Sequence, residues 1–158
     1  MLTNDILRRV RYALDINDAK AIEIFALAGH TADKKLMESI FTKDDDPKFS
    51  LCPDRLARFF FQGLVISKRG KKDDAANGDA KKQTGNEPLT NNDVLWYLRI
   101  AMQLKDEDIV AIMKKVSVEV GKSEINALFR KKDHQNYRPC GDQFMRNFLA
   151  GFTATFRP

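Results

Sequence analysis

The sequence predicts an all-α protein built from two tandem homologous four-helix modules, and three observations predict this fold class. The first is internal repetition: adding 88 to a residue number maps positions 4–64 onto 92–152 without a gap. The second is a helical period of apolar residues that recurs in both copies. The third is a polar stretch at 69–88 that contains no Leu, Ile, Val, Phe, Trp, Tyr or Met. We therefore expect a first module at 1–68, a flexible, disordered linker at 69–88 and a second module at 89–158.

The apolar spacing predicts four helices in each copy. In the first helix apolar residues recur at i, i+3, i+4 and i+7, and its N-cap candidates are Thr3, Asn4, Asn91 and Asn92. The second helix starts near Asp18 or Asp106 and in the first copy ends at Gly29, which suits a left-handed C-cap. The third covers about 33–41 and 123–129, and the fourth begins at Pro53 or Gly141. Because bundles of about 65 residues bury little surface alone, the two modules are expected to dock on each other.

Composition and charge exclude several classes of protein. No window approaches the roughly 20 consecutive apolar residues of a membrane-spanning helix, and the N-terminus lacks the order of a secretory signal. With only two cysteines there is no disulfide framework, so we expect free thiols and a cytoplasmic protein. The formal charge of +5 is unevenly spread, with +1 in residues 1–68 and +3 in residues 89–158. A modest, one-sided basic excess is compatible with a polyanionic partner without requiring one.

The segments that carry the repeat also carry a family resemblance. The openings LTNDILRRVRYAL and LTNNDVLWYLRIAM and the closing segments CPDRLARFFFQGL and CGDQFMRNFLAGF resemble the bacterial YehS-like family, a duplicated all-helical domain of unknown function. The resemblance covers nearly everything except the linker. It implies the fold and supplies no reaction, ligand or catalytic residue.

A recurrent motif surrounds the two cysteines. Its members are Cys52, Asp54, Arg58, Cys140, Asp142 and Arg146. Each cysteine precedes a helix N-terminus, where the dipole would favour a reactive thiolate. The alternative, which we favour, is a structural motif with a buried cysteine and a first-turn aspartate paired with the arginine four residues on.

Nothing in the sequence indicates catalysis, a metal or another cofactor. The two histidines, His30 and His134, occupy unlike positions in the two copies, and no Cys-x-x-Cys or His-x-x-x-His pair is present. No phosphate-binding loop or nucleophile elbow occurs either. We therefore predict that the protein is not an enzyme and has no cofactor.

Nucleic acid is one candidate partner. The second and third helices of each copy could form a helix-turn-helix, although its turn is somewhat longer than that of the DNA-binding form. In the second copy, Lys122 and Asn126 would then face a groove. The cations that would hold phosphate are Arg130, Lys131, Lys132 and Arg138. The equivalent turn of the first copy, at 42–46, is acidic and would repel phosphate.

A protein partner is the other candidate. Trp96 and Tyr97 stand where the first copy has Arg8 and Arg9, and such aromatics anchor interfaces either with a partner or between the two copies. The sequence therefore predicts a non-enzymatic cytoplasmic binding or regulatory protein whose partner, protein or nucleic acid, is undecided, with no membrane or small-molecule ligand indicated. The alternative is helix-turn-helix-like nucleic-acid binding led by the second copy.

Overall fold

A computed structural model describes residues 1–70 and 87–158, and within them it contains eight α-helices and no strand. The helices of the first copy are α1 (Thr3–Ala13), α2 (Asp18–Leu27), α3 (Lys34–Ile40) and α4 (Asp54–Arg69). Those of the second copy are α5 (Asn91–Met102), α6 (Asp106–Lys114), α7 (Lys122–Leu128) and α8 (Asp142–Phe156). The prediction of an all-α protein with four helices in each copy is confirmed.

Most helix starts agree with the predicted ones, but the caps of the first helix in each copy do not. The α1 helix is preceded by Leu2, and in the second copy Thr90 caps α5 in a reciprocal box with Asp93. In that box the Thr90 hydroxyl accepts from the Asp93 N–H at 3.1 Å, and the Asp93 carboxylate accepts from the Thr90 N–H at 3.0 Å. The predicted N-cap candidates Asn4 and Asn92 are instead buried within their helices.

The predicted left-handed residue after α2 is present. Gly29 has a φ of +85°, and the following His30 N–H donates to the Phe25 carbonyl at 3.0 Å. The second copy makes the same turn with Ser117 at a φ of +61°, where Val118 N–H donates to Met113 O at 3.0 Å. The bond that closes the helix is therefore the same in both copies, whatever residue occupies the left-handed position.

The two copies dock by packing the first helix of each against the fourth helix of the other. The main partner of α1 is α8, and the main inter-copy partner of α4 is α5. These contacts are equivalent when the copies are exchanged, so the docked pair has an approximate two-fold relation. At one of them Phe61 of α4 stacks on Tyr97 of α5, with ring centroids 5.9 Å apart. Each copy therefore completes its core with helices of the other, and the division of the chain into modules at 1–68 and 89–158 stays a prediction.

The predicted linker at 69–88 lies mostly outside the described residues, in the range 71–86. At its first end the prediction is wrong by one residue, because Arg69 still belongs to α4. At its other end the backbone is held by the first turns of α4: Arg58 donates to Glu87 O at 2.9 Å and Asp54 accepts from Leu89 N–H at 2.9 Å. These two hydrogen bonds hold residues 87–89 against the first copy.

The equivalent contact at the other end of the molecule involves the chain's first residue. Met1, which corresponds to Leu89 in the repeat, donates its amino group to Asp142 Oδ2 at 3.0 Å. A bond from Asn91 and the nearby ammonium group both lower the pKa of Asp142. The two aspartates of the recurrent motif therefore hold the start of the opposite copy.

No helix in the described ranges combines the length and the apolar character that crossing a membrane requires.

Candidate nucleic-acid interface

A buried asparagine ties the turn after the third helix to the first helix in each copy. Asn4, 1% exposed, donates from Nδ2 to Ile40 O at 3.1 Å and to Ser50 O at 2.9 Å, while its Oδ1 accepts from Cys52 N–H at 2.9 Å. The amide side chain thus satisfies three backbone groups at the two ends of the turn, which would otherwise lack a partner.

Asn92 makes the same three bonds in the second copy. Its Nδ2 donates to Leu128 O at 3.0 Å and to Arg138 O at 2.9 Å, and its Oδ1 accepts from Cys140 N–H at 2.8 Å. The turn at 129–139 is therefore held against α5 by one side chain. Sequence analysis missed this role, although an identical Asn pair at core spacing from Leu7 and Leu95 is a signal that could have indicated it.

The two turns have matching backbones and different charges. In the first copy Asp46 N–H donates to Lys43 O at 3.1 Å, and in the second His134 N–H donates to Lys131 O at 2.9 Å. The equivalent positions are 42–46, with one lysine and three aspartates, and 130–134, with three cations and one aspartate, so the formal charge of the turn is −2 in the first copy and +2 in the second. The shared geometry presents opposite charges because surface side chains do not determine the turn.

Between α5 and the turn of the second copy lies a cleft of about 560 Å³, which we call the α5 cleft. Its walls are the first half of α5, the end of α7 with the basic turn, and the segment at 87–88. The residues that line it are Glu87, Pro88, Thr90, Asn92, Asp93, Trp96, Tyr97, Leu128, Phe129, Arg130, Lys131, Lys132 and Tyr137. The cleft brings together the predicted aromatic pair and three of the predicted phosphate-binding cations, which sequence analysis had assigned to separate functions.

The cations of the α5 cleft have no acidic partners among the described residues. Arg130, Lys131 and Lys132 are exposed and form no ion pair within 1–70 and 87–158. The acidic Asp93 of α5 is occupied in the capping box of that helix. The rim of the cleft at the turn therefore carries a net positive charge, with three cations against Asp133 in the turn and Glu87 in the lining.

The aromatic side chains of the cleft differ in how open they are. Phe129 is covered by the guanidinium of Arg99, 4.6 Å above its ring, and Arg99 is itself paired with Asp106 at 2.9 Å. Trp96 and Tyr137 are half-buried, so part of each ring faces the solvent. Burial raises the pKa of Tyr137, as do the nearby Asp93 and Cys140, so this phenol stays a neutral hydrogen-bonding group.

Three of the six predicted nucleic-acid residues lie outside the α5 cleft. Lys122 and Asn126 are exposed on α7, where Lys122 pairs with Glu107 at 3.8 Å. Arg138 lines a separate cavity of about 240 Å³ that also contains Glu124. The face of α7 that a helix-turn-helix would present to a groove thus has mixed charge, and the unpaired cations are at its end.

The predicted interface residues Trp96 and Tyr97 have different positions. Tyr97 is buried against Phe61 of the first copy, so it belongs to the contact between the copies. Burial raises its pKa to about 12, against the lowering influence of Arg58 and a bond from Gln62. Trp96 packs edge-to-face on Tyr97, with ring centroids 5.2 Å apart, and reaches the cleft.

The recurrent motif is partly as predicted. Cys52 and Cys140 are buried, and their thiols lie against the carbonyls of Pro53 and Gly141. Burial raises the pKa of each thiol to about 12, with Asp54 and Asp142 contributing in the same direction. This direction is opposite to the one that a reactive thiolate requires.

The predicted ion pairs within the motif are not observed. Asp54 accepts from Leu89 and from the Thr3 hydroxyl at 3.3 Å, while Arg58 donates to a carbonyl. Arg58 is only 2% exposed, and its Nε and Nη1 have no hydrogen-bond partner among the described residues. Its counterpart Arg146 is exposed. The inter-copy contact has replaced the local pairing that sequence spacing indicated.

We expect the two thiols to resist alkylation in the native protein. At pH 8 a thiol with a pKa near 12 is ionised about a thousandfold less than one at 9.0. The measurement is the rate of iodoacetamide labelling in native protein and in urea, followed by mass spectrometry. Native labelling within tenfold of the urea rate would contradict the burial of Cys52 and Cys140.

The same pKa shifts give stability a pH dependence. Because the folded pKa of each cysteine lies above its ordinary value of 9.0, the contribution is complete below pH 9. As the pH rises toward 12 the unfolded chain loses protons that the folded chain retains, so the free energy of unfolding should fall. Urea titrations at pH 8 and 10 check this sign, with the Cys52→Ala plus Cys140→Ala variant expected to show a shallower dependence.

The two histidines do not form a site with the cysteines. His30 stacks on Phe59, with centroids 5.1 Å apart, and His134 accepts from Asn136 N–H at Nδ1. Within residues 1–70 and 87–158, no three His, Cys, Asp or Glu side chains come together as a metal site would require.

The fold defines a duplicated all-α protein in which each copy of four helices is completed by the other. The chain belongs to the family described as "Protein of unknown function (DUF1456)", which matches residues 3–70 and 91–157. It is similar to the "Uncharacterized protein YehS" of Escherichia coli (strain K12), with 41% identity over 154 residues that cover 98% of this chain and 96% of that protein. No solved structure gives a significant match. The predicted family resemblance is thus confirmed.

Proposed function

We propose that this protein is a non-enzymatic, cytoplasmic nucleic-acid-binding protein that holds phosphates at the α5 cleft of its second copy. The observation that carries the proposal is the juxtaposition of Arg130, Lys131 and Lys132 with Trp96 in one concavity. Cations in a groove that also offers aromatic faces are the combination that nucleic-acid-binding surfaces use. The proposed contact is at the end of α7 and the turn, rather than along the face of α7.

The arginines along α1 of the first copy support a one-sided function. A groove of about 470 Å³ lies between α1 and α8, and its arginines are Arg8, Arg9, Arg11 and Arg157. Three of the four are neutralised: Arg8 pairs with Asp5 at 2.8 Å, Arg11 with Asp18, and Arg157 with Asp15 at 3.4 Å. An anionic strand would have to displace these carboxylates, whereas the cations of the α5 cleft are unpaired.

Salt dependence tests the proposal. Three phosphate contacts predict that the logarithm of the association constant falls with the logarithm of salt concentration with a slope of about −2 for a single strand. Between 50 and 200 mM salt the affinity should then fall about twentyfold. The measurement is fluorescence anisotropy of labelled DNA and RNA oligonucleotides across that series.

Charge reversal locates the contact. Lys131→Glu plus Lys132→Glu should lower affinity at least tenfold and bring the slope toward zero, because repulsion replaces two phosphate contacts. The matched control is Lys34→Glu plus Lys35→Glu, which makes the same change of net charge on exposed residues of α3. Equal losses in both variants would contradict a local site, and no binding at 20 mM salt would end the proposal.

A protein partner is the second candidate, favoured by the half-buried Trp96 at the cleft. The large apolar side chains that are most exposed in the described ranges, Leu2, Tyr12 and Leu51, all lie outside the α5 cleft. A protein partner recognised through the cleft would therefore contact the half-buried rings of Trp96 and Tyr137. Pull-down with wild type and Trp96→Ala separates this candidate, since unchanged captured proteins would remove the anchor.

A further inference from the structure

We propose that the α5 cleft takes single-stranded nucleic acid and that one unpaired base stacks on Trp96. This inference rests on the proposed function and adds the class of strand and the residue that contacts a base. The cations at 130–132 hold the backbone at the rim, and the indole of Trp96 lines the same cleft from α5. When a phosphate is bound at the rim, the base attached to it enters the cleft between the cations and the indole.

The cleft favours a single strand over a duplex. In a duplex the bases are stacked and paired, so a base could reach Trp96 only by flipping out at an energetic cost. The element that would read a duplex groove is α7, which has seven residues, and its exposed residues include Lys122, Glu124 and Asn126. Glu124 would oppose a phosphate backbone, and Lys122 is already paired with Glu107. An unpaired base needs neither groove insertion nor the α7 face.

Neighbouring aromatic rings hold the indole of Trp96 in place at the cleft. Its ring packs on Tyr97, Tyr97 stacks on Phe61, and Phe61 packs edge-to-face on Phe60 at 5.6 Å in the core of the first copy. The indole N–H has no hydrogen-bond partner in residues 1–70 and 87–158, which leaves it open to a ligand acceptor. A supported aromatic ring loses little conformational freedom when a base binds to it.

The equivalent position of the first copy cannot make this contact in the same way. Arg8 stands there and is paired with Asp5 at 2.8 Å. In the second copy Asp93, the equivalent of Asp5, is engaged in the cap of α5, and the neighbouring side chain is the indole. Base stacking is therefore confined to the copy that also carries the unpaired cations.

The single tryptophan of the chain makes the proposal directly measurable. Full-length protein is titrated with 12-nucleotide oligothymidylate, with 12-nucleotide oligouridylate and with a 12-base-pair duplex, while tryptophan fluorescence and the anisotropy of a labelled strand are followed together. We expect both single strands to quench Trp96 in parallel with the anisotropy change. We expect the duplex to bind more weakly and to leave the fluorescence unchanged.

A variant pair separates stacking from charge. Trp96→Leu should lower single-strand affinity about five- to hundredfold while leaving the salt slope unchanged, because stacking releases no counterions. Tyr12→Leu, at a 56% exposed aromatic outside the cleft, is the control and should leave affinity unchanged. Circular dichroism shows whether the Trp96→Leu variant is folded. If the variant is unfolded, quenching of Trp96 fluorescence in the wild-type protein still tests the stacking contact.

Each result is decisive. Salt-dependent binding without quenching, or binding of the duplex as tight as that of single strands, would overturn the stacking proposal and leave phosphate binding intact. Absence of binding at low salt would overturn the proposed function itself. Quenching by both oligonucleotides with loss in Trp96→Leu supports the proposal, and a difference between thymidylate and uridylate identifies which nucleic acid is preferred.

Discussion

Gly63→Ala and Gly151→Ala are each expected to lower the free energy of unfolding by about 3 kcal/mol or more. A Cβ at Gly63 would lie 1.8 Å from the carbonyl oxygen of Ile24, and one at Gly151 would lie 2.2 Å from that of Ile112. The obstructing atoms belong to the backbone of α2 and α6, so no side chain can rotate away. The helix pairs α2–α4 and α6–α8 would have to separate.

Urea denaturation at pH 7 measures this effect, and thermal melting should show a decrease of roughly 6 to 12 °C for a chain of this size. The matched control is Gly141→Ala, because a Cβ there meets nothing within 4 Å. Alanine is a poorer N-cap residue than glycine, which lowers stability, but it also restricts the unfolded chain, which raises stability. The free energy of unfolding should therefore change by no more than about 1 kcal/mol. If Gly63→Ala and Gly151→Ala each lowered the free energy of unfolding by less than about 1 kcal/mol, the helix pairs would be able to move apart at little energetic cost.

Asn4→Ala and Asn92→Ala form the second large prediction, with an expected loss of about 3 to 4 kcal/mol each. Each substitution leaves one backbone N–H and two carbonyls without the partner that the amide provides. An unsatisfied buried polar group costs about 1–3 kcal/mol, and water entering the vacated space would recover part of the sum. Asn126→Ala, at an exposed position of α7, is the control and should change stability by less than about 0.5 kcal/mol.

The two asparagine variants should differ in function although they resemble each other in stability. Asn92 holds the turn that carries Lys131 and Lys132 against α5, whereas Asn4 holds the acidic turn of the first copy. Under conditions in which both variants are folded, Asn92→Ala should weaken single-strand binding and Asn4→Ala should leave it unchanged. Equal binding by the two would contradict a role for the clamp in positioning the basic turn.

The candidate site was predictable in its components and not in its assembly. Charge in a turn and aromatic substitution in a helix are visible in the sequence, so Arg130, Lys131, Lys132 and Trp96 were all identified. Their meeting in one cleft depends on Asn92, whose amide reaches 36 and 46 residues along the chain to Leu128 and Arg138. Spacing cannot reveal such a bond, because it reports only neighbours on one helix.

The duplication, the helices of residues 1–70 and 87–158 and nearly all of their starts could be predicted from the sequence, because helical period and capping are local properties of the chain. The packing of α1 on α8 and of α4 on α5 is established by the three-dimensional arrangement alone. Because of the same inter-copy packing, Arg58 is buried and donates to Glu87 O, whereas the sequence had predicted a pair with Asp54. The packing also buries Tyr97. Two nearly equivalent copies offer the same apolar surfaces to themselves and to each other, and three-dimensional packing selects between these partners.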